Sequence, residues 1–137
     1  MNRMLTAHLP TCLLALPILA MPATAANTAR GKYLVESVAI CQDCHSPRGP
    51  DGQFDKTKWL KGAPIDFKPD NPMPWAATAP DITASGKLWQ HWSEAGMTKF
   101  LQTGLTPTGK QAQPPMPAYR FNTRDAEAVV EYLKTLH

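Results

Sequence analysis

The chain has 137 residues, about one domain by length. Its 14 basic and 11 acidic residues leave a net charge of only +3, which argues against a nucleic-acid binder. No internal repeat and no low-complexity tract is present, so a repeat architecture has no support in the sequence.

The first segment reads as a targeting signal. Arg3 supplies a positive start, Leu9 to Met21 (LPTCLLALPILAM) is an apolar run, and Ala23-Thr24-Ala25 is an A-x-A cleavage site. The apolar run is too short and too rich in proline to span a bilayer, which takes about 20 apolar residues. Residues 1–26 are therefore expected to be a cleaved signal peptide and residues 27–137 the single domain, placed in the periplasm. Membrane contact is expected only if the signal stays uncleaved. Removal of the signal leaves Cys41 and Cys44 as the only thiols.

Helical patterning follows. Asn27 or Thr28 can cap a first helix in which Tyr33, Leu34 and Val38 recur at helical spacing. Residues 46–87 hold seven prolines, at 47, 50, 64, 69, 72, 74 and 80, with neither helical period nor strand alternation. A connection this long in a small domain implies a loop with a task. A middle helix is predicted over Ser93 to Thr103, with Met97, Phe100 and Leu101 inward and Gly104 as its stop. Asn122 with Asp125 resembles a capping pair for a last helix, whose apolar stripe is Ala126, Val129, Val130, Leu133 and Leu136. Three short helices bury little apolar surface, so the domain needs a cofactor, metal or disulfide to complete its core.

The segment Cys41-Gln42-Asp43-Cys44-His45 supplies the candidate. A disulfide between Cys41 and Cys44 would close a tiny loop and stabilise little. C-x-x-C-H is instead the attachment pattern of a c-type haem. Two thiols three apart on a helical turn can add to two vinyl groups on one porphyrin edge, and the next residue turns its imidazole to the iron. Cys41 and Cys44 are then the thioether anchors and His45 the proximal ligand. Two other readings use the same residues. A thiol–disulfide oxidoreductase needs a βαβ setting, for which no strands are evident. A zinc site would draw on His45, His91 or His137 beside the two cysteines, without a second ligand pair at the usual spacing.

The sixth ligand decides between a carrier and an open haem. Met116 lies in Gln113-Pro114-Pro115-Met116-Pro117-Ala118-Tyr119, a proline-stiffened loop able to hold a thioether in place, and is the favoured ligand. Met73, between Pro72 and Pro74, is the first alternative, with Met97 and His91 behind it. The four tryptophans, Trp59, Trp75, Trp89 and Trp92, can wall a porphyrin, donate to its propionates or simply pack.

With its signal, its helix running into Cys41-Gln42-Asp43-Cys44-His45, and Met116-Pro117 before a helix containing Glu131-Tyr132-Leu133, the chain resembles a small monohaem cytochrome c. Ala79-Pro80-Asp81-Ile82-Thr83, Trp89, Phe100 and Gly104 are similar to the cytochrome c domains of exported bacterial dehydrogenases. The resemblance implies an all-α cytochrome c fold, with crossed terminal helices, a middle helix and long loops enclosing one covalently attached haem c. Gly31 and Tyr132 fit that crossing. It implies an electron-transfer protein, not an enzyme, whose partners are a dehydrogenase as donor and an oxidase or another cytochrome as acceptor. Lys56, Lys58 and Lys61 are expected around the haem rim, steering an acidic partner. Alternatives are a cytochrome subunit fixed in a dehydrogenase complex, and a haem enzyme or gas sensor with a displaceable sixth ligand.

Overall fold

A computed structural model describes residues 23–137; the proposed signal peptide lies outside the described residues apart from its last four positions. Helix α1 (Ala23–Tyr33) starts in the alanine-rich stretch Ala23-Thr24-Ala25-Ala26. Alanine has the highest helix propensity, so the helix forms ahead of Asn27 and Thr28, which sit inside it and do not cap it. Thr28 Oγ1 donates back to the Thr24 carbonyl (3.0 Å), as a mid-helix threonine does.

The helix then widens into a π turn over Leu34–Val38. This turn breaks the 3.6-residue period on which the predicted stripe rested. Leu34 and Val35 are buried, whereas Tyr33 and Val38 are 54% and 51% exposed, contrary to the sequence expectation. Ile40, at φ 46°, redirects the chain into the single turn α2 (Gln42–His45).

The long proline-rich connection is more ordered than its sequence suggests. It holds a 3₁₀ turn at Lys56–Lys58 and two short antiparallel strands, β1 (Ala63–Pro64) and β2 (Thr78–Ala79). Their register pairs Ala63 with Ala79 and Pro64 with Thr78. The fold is therefore mostly helical, consistent with the expected cytochrome c fold, with one small two-stranded sheet that the all-α expectation did not include. Strands of two residues are too short to show alternation, which is why the pattern was silent.

Helix α3 (Lys87–Thr103) begins six residues before the predicted start and is broken at Ser93 (φ 56°, ψ 168°). The limb after the break matches the prediction: Met97, Phe100 and Leu101 are buried. Gly104, at φ 73°, ends it and donates its N–H to the Phe100 carbonyl (2.7 Å). Helix α4 (Thr123–Lys134) opens on the predicted cap, with Asn122 Oδ1 accepting from the Asp125 N–H (2.9 Å). Ala126, Val129, Val130 and Leu133 are buried, and Leu136 packs partly buried against them.

Helices α1 and α4 cross in contact. A Cβ on Gly31 would overlap the Ala128 carbonyl oxygen and lie 2.7 Å from Tyr132 Cβ, so the backbones touch where Gly31 lies. Around the crossing, Arg30 Nε and Nη2 donate to the two carboxylate oxygens of Asp125 (2.9 and 3.2 Å), and the Tyr132 hydroxyl donates to Glu36.

Candidate functional site

The turn carrying the cysteines, the limb of α3 after its break, α4 and the loop before α4 surround a cavity of about 620 Å³. Cys41, Cys44 and His45 line it from one segment and Met116 from another. Phe100, Leu101, Val129 and Leu133 supply apolar lining. Folding thus brings together the four residues singled out in the sequence. Met97 also lines the cavity, from within the core of α3. Met73 does not line it and is 48% exposed; His91 does not line it and is exposed. His137 lines a different cleft, so the zinc reading finds no second histidine beside His45.

His45 is 5% exposed, and its orientation is set by main chain. Its Nδ1–H donates to the Pro80 carbonyl (2.7 Å), which leaves Nε2 with a lone pair for a metal. Burial lowers the His45 pKa, outweighing the Pro80 carbonyl and the Asp81 carboxylate, so the ring is held neutral, the form that ligates. The turn itself is pinned twice. The Gly62 N–H donates to the His45 carbonyl (2.8 Å), and the Leu60 N–H donates to Ser46 Oγ (2.8 Å).

Neither Cys41 nor Cys44 is in a disulfide. Burial pushes the Cys41 thiol up to about 12; Cys44 is raised by burial and then by the Asp43 carboxylate. Reactive thiols of disulfide oxidoreductases are shifted the other way, so this pair is unsuited to that chemistry.

The methionine loop is tied at both ends. The Ala76 N–H donates to the Pro114 carbonyl (2.7 Å), and the Tyr119 hydroxyl donates to the Ala39 carbonyl (2.8 Å). These bonds link the loop to the long connection on one side and to the approach to Cys41 on the other. Burial raises the Tyr119 pKa to about 12, which keeps its hydroxyl a donor. The roles of Pro80 and Tyr119 were missed in the sequence, since each partner lies far along the chain.

Of the four tryptophans only Trp92 lines the cavity. Trp75 donates its indole N–H to the Phe67 carbonyl (2.9 Å) and Trp89 to that of Ile82 (3.1 Å), while Trp59 stacks edge-on with Phe54. Lys56, Lys58 and Lys61, expected around the haem rim, are not among the residues lining the cavity, whose lysine is Lys110.

An apolar cavity with two thiols on its wall, an oriented neutral imidazole and available thioethers fits a covalently held porphyrin. Fold and cavity together define a c-type haem protein. The family model described as Cytochrome c matches residues 28–137, and the chain belongs to the cytochrome c family. It is 37% identical over 110 residues to a "Diheme cytochrome c-type" protein of Cereibacter sphaeroides, covering 77% of this chain and 34% of that protein. It is 30% identical over 113 residues to the "Fructose dehydrogenase cytochrome subunit" of Gluconobacter japonicus, covering 78% of this chain and 21% of that one. With a nicotinate dehydrogenase subunit of Pseudomonas putida the identity is 31% over 121 residues, covering 84% of this chain and 9% of that one. The chain therefore spans about a third or less of these relatives. Membership of the cytochrome c family implies haem c and an electron-transfer role for the domain.

Proposed function

We propose that the chain is a periplasmic monohaem relay that passes single electrons between a dehydrogenase and an oxidase or another cytochrome. The observation that carries this reading is the convergence of Cys41, Cys44, His45 and Met116 on one cavity. Cys41 and Cys44 hold the porphyrin as thioethers. His45 Nε2 would ligate the iron, aimed by the Nδ1–Pro80 hydrogen bond. Met116 would supply the second protein ligand, presented by a loop fixed through Ala76 and Tyr119, whereas Met97 is engaged in core packing. When bound, the haem supplies a one-electron ferrous/ferric couple. The protein's part would be to hold the group through His45 and Met116 and to exclude water.

Carbon monoxide added to the reduced protein tests this. A nearly unchanged spectrum supports the six-coordinate carrier, and rapid complex formation supports the enzyme or gas-sensor alternative. The mass of the exported protein tests the rest: cleavage after residue 26 with one added haem is the expected value.

A second reading, a cytochrome module fixed within a dehydrogenase complex, is favoured by the two relatives that are dehydrogenase subunits. Co-purification from the native source separates them, since a shuttle leaves the dehydrogenase on a sizing column and a fixed module does not.

A further inference from the structure

A second cleft, of about 440 Å³, shares no lining residue with the haem cavity. Lys32, Lys56 and Lys61 lie on its walls with the half-buried Trp59, and the buried Tyr132 lies behind them. Its one acidic side chain is Glu36, already engaged by the Lys32 ammonium and the Tyr132 hydroxyl. Lys56 and Lys61 enter no ion pair among the described residues. Lys56 Nζ is instead held 3.6 Å from the centroid of the Trp59 ring, a cation–π contact that positions the ammonium without neutralising it.

Lys56 and Lys61 thus bring to the cleft two positive charges that no ion pair among the described residues neutralises, beside the ring of Trp59. An incoming anion would be drawn to them. We infer that this cleft, which shares no lining residue with the haem cavity, docks a carboxylate-rich segment of a partner protein. The carboxylates meet Lys56 and Lys61 while the aliphatic parts of the segment lie against the half-buried Trp59. A small net charge with a local cationic cleft suits an acidic protein surface better than a polyanion such as DNA. The cleft is also joined to the haem side. Leu60, next to Trp59 and wholly buried, donates to Ser46 Oγ, and Gly62 donates to the His45 carbonyl. A partner seated here is thus held against the segment that braces the proximal histidine.

The test uses the ferrous holoprotein and a hexaglutamate peptide at low ionic strength, followed by ¹⁵N–¹H correlation spectra. The expected result is that the Trp59 indole N–H and the amides of residues 56–61 shift, and that the shifts vanish at about 0.5 M salt. The double variant Lys56→Glu/Lys61→Glu should bind about tenfold more weakly and Lys56→Gln/Lys61→Gln should fall between, with haem spectra like the parent's. Lys110→Glu, at the cavity, should bind like the parent. Shifts confined to Lys110 and the cavity, undiminished binding by the Lys56/Lys61 double variant, or no shift at all would each overturn the inference. The readout is independent of which methionine ligates iron, so the axial-ligand proposal stands or falls separately.

Discussion

Gly31 lies so close to Ala128 that a Cβ on the glycine would overlap the alanine's carbonyl oxygen. The clashing atom belongs to the backbone of α4 and cannot swing aside. The crossing of the terminal helices is therefore specified by a missing methyl group. Gly31→Ala should lower the stability of the holoprotein by about 3 kcal/mol or more, through separation of α1 from α4. Guanidinium unfolding should show the midpoint falling with an unchanged slope. A midpoint like the parent's would mean that the helices can slide apart at little cost.

Three methionines give distinct expectations. Met116→Ala should lower the reduction potential and allow rapid carbon monoxide binding to the reduced protein. Met73→Ala, at an exposed site outside the cavity, should change neither. Met97→Ala should cost about 2–5 kcal/mol in unfolding experiments as a core truncation, while the iron stays closed. Opening of the iron in Met97→Ala, with Met116→Ala inert, would move the ligand to α3.

Covalent attachment is tested by Cys41→Ala and Cys44→Ala. Each removes one wall contact of the cavity and one thioether, and each should reduce the yield of stable holoprotein. Circular dichroism is the check: a variant lacking haem yet as helical and as cooperative as the parent would show that the porphyrin is not part of the core.

The Glu36–Tyr132 contact makes stability depend on pH. Burial by itself would raise the Glu36 pKa, but the hydrogen bonds from Lys32 and Tyr132 outweigh it, and the pKa lies below its ordinary value of 4.5. A carboxylate depressed in the folded state contributes stability above its unfolded pKa and loses it as pH falls through the folded one. Glu36→Gln should therefore be less stable than the parent at neutral pH, and the gap should narrow as the pH drops below 4.5. Tyr132→Phe, which removes the donor, should cost about 1 kcal/mol at neutral pH. Urea midpoints measured across the pH range check both.

Ser93 breaks α3 at φ 56°, a region that favours glycine. Its Oγ accepts from the Gly96 N–H at 3.4 Å, a long and weak cap. Ser93→Gly should leave stability unchanged or raise it by up to about 1 kcal/mol, whereas Ser93→Val should lower it by about 1–3 kcal/mol. Thermal unfolding of the two variants side by side gives the sign.

Features written within a turn or two of sequence were legible directly. The C-x-x-C-H segment, Gly104 as a helix stop, Asn122 as a cap, and the inward face of Met97, Phe100 and Leu101 each depend on neighbours three or four residues away. The start of α1, the break at Ser93 and the π turn were not legible, because the local signals there compete and packing chooses among them. Tyr33 and Val38 illustrate this: both fit a helical stripe, and the π turn leaves both at the surface.

By itself the sequence determined the chemistry of the centre, since two thiols and an imidazole at that spacing belong to one short segment of chain. Only the tertiary structure decided what surrounds it. His45 is aimed by Pro80, Tyr119 ties the methionine loop to Ala39, and Lys56 and Lys61 line a cleft separate from the cavity. The physical reason is distance along the chain. A hydrogen bond or a charge cluster joining residues tens of positions apart has no local period, and it exists only once helix crossing and loop closure have brought the partners together.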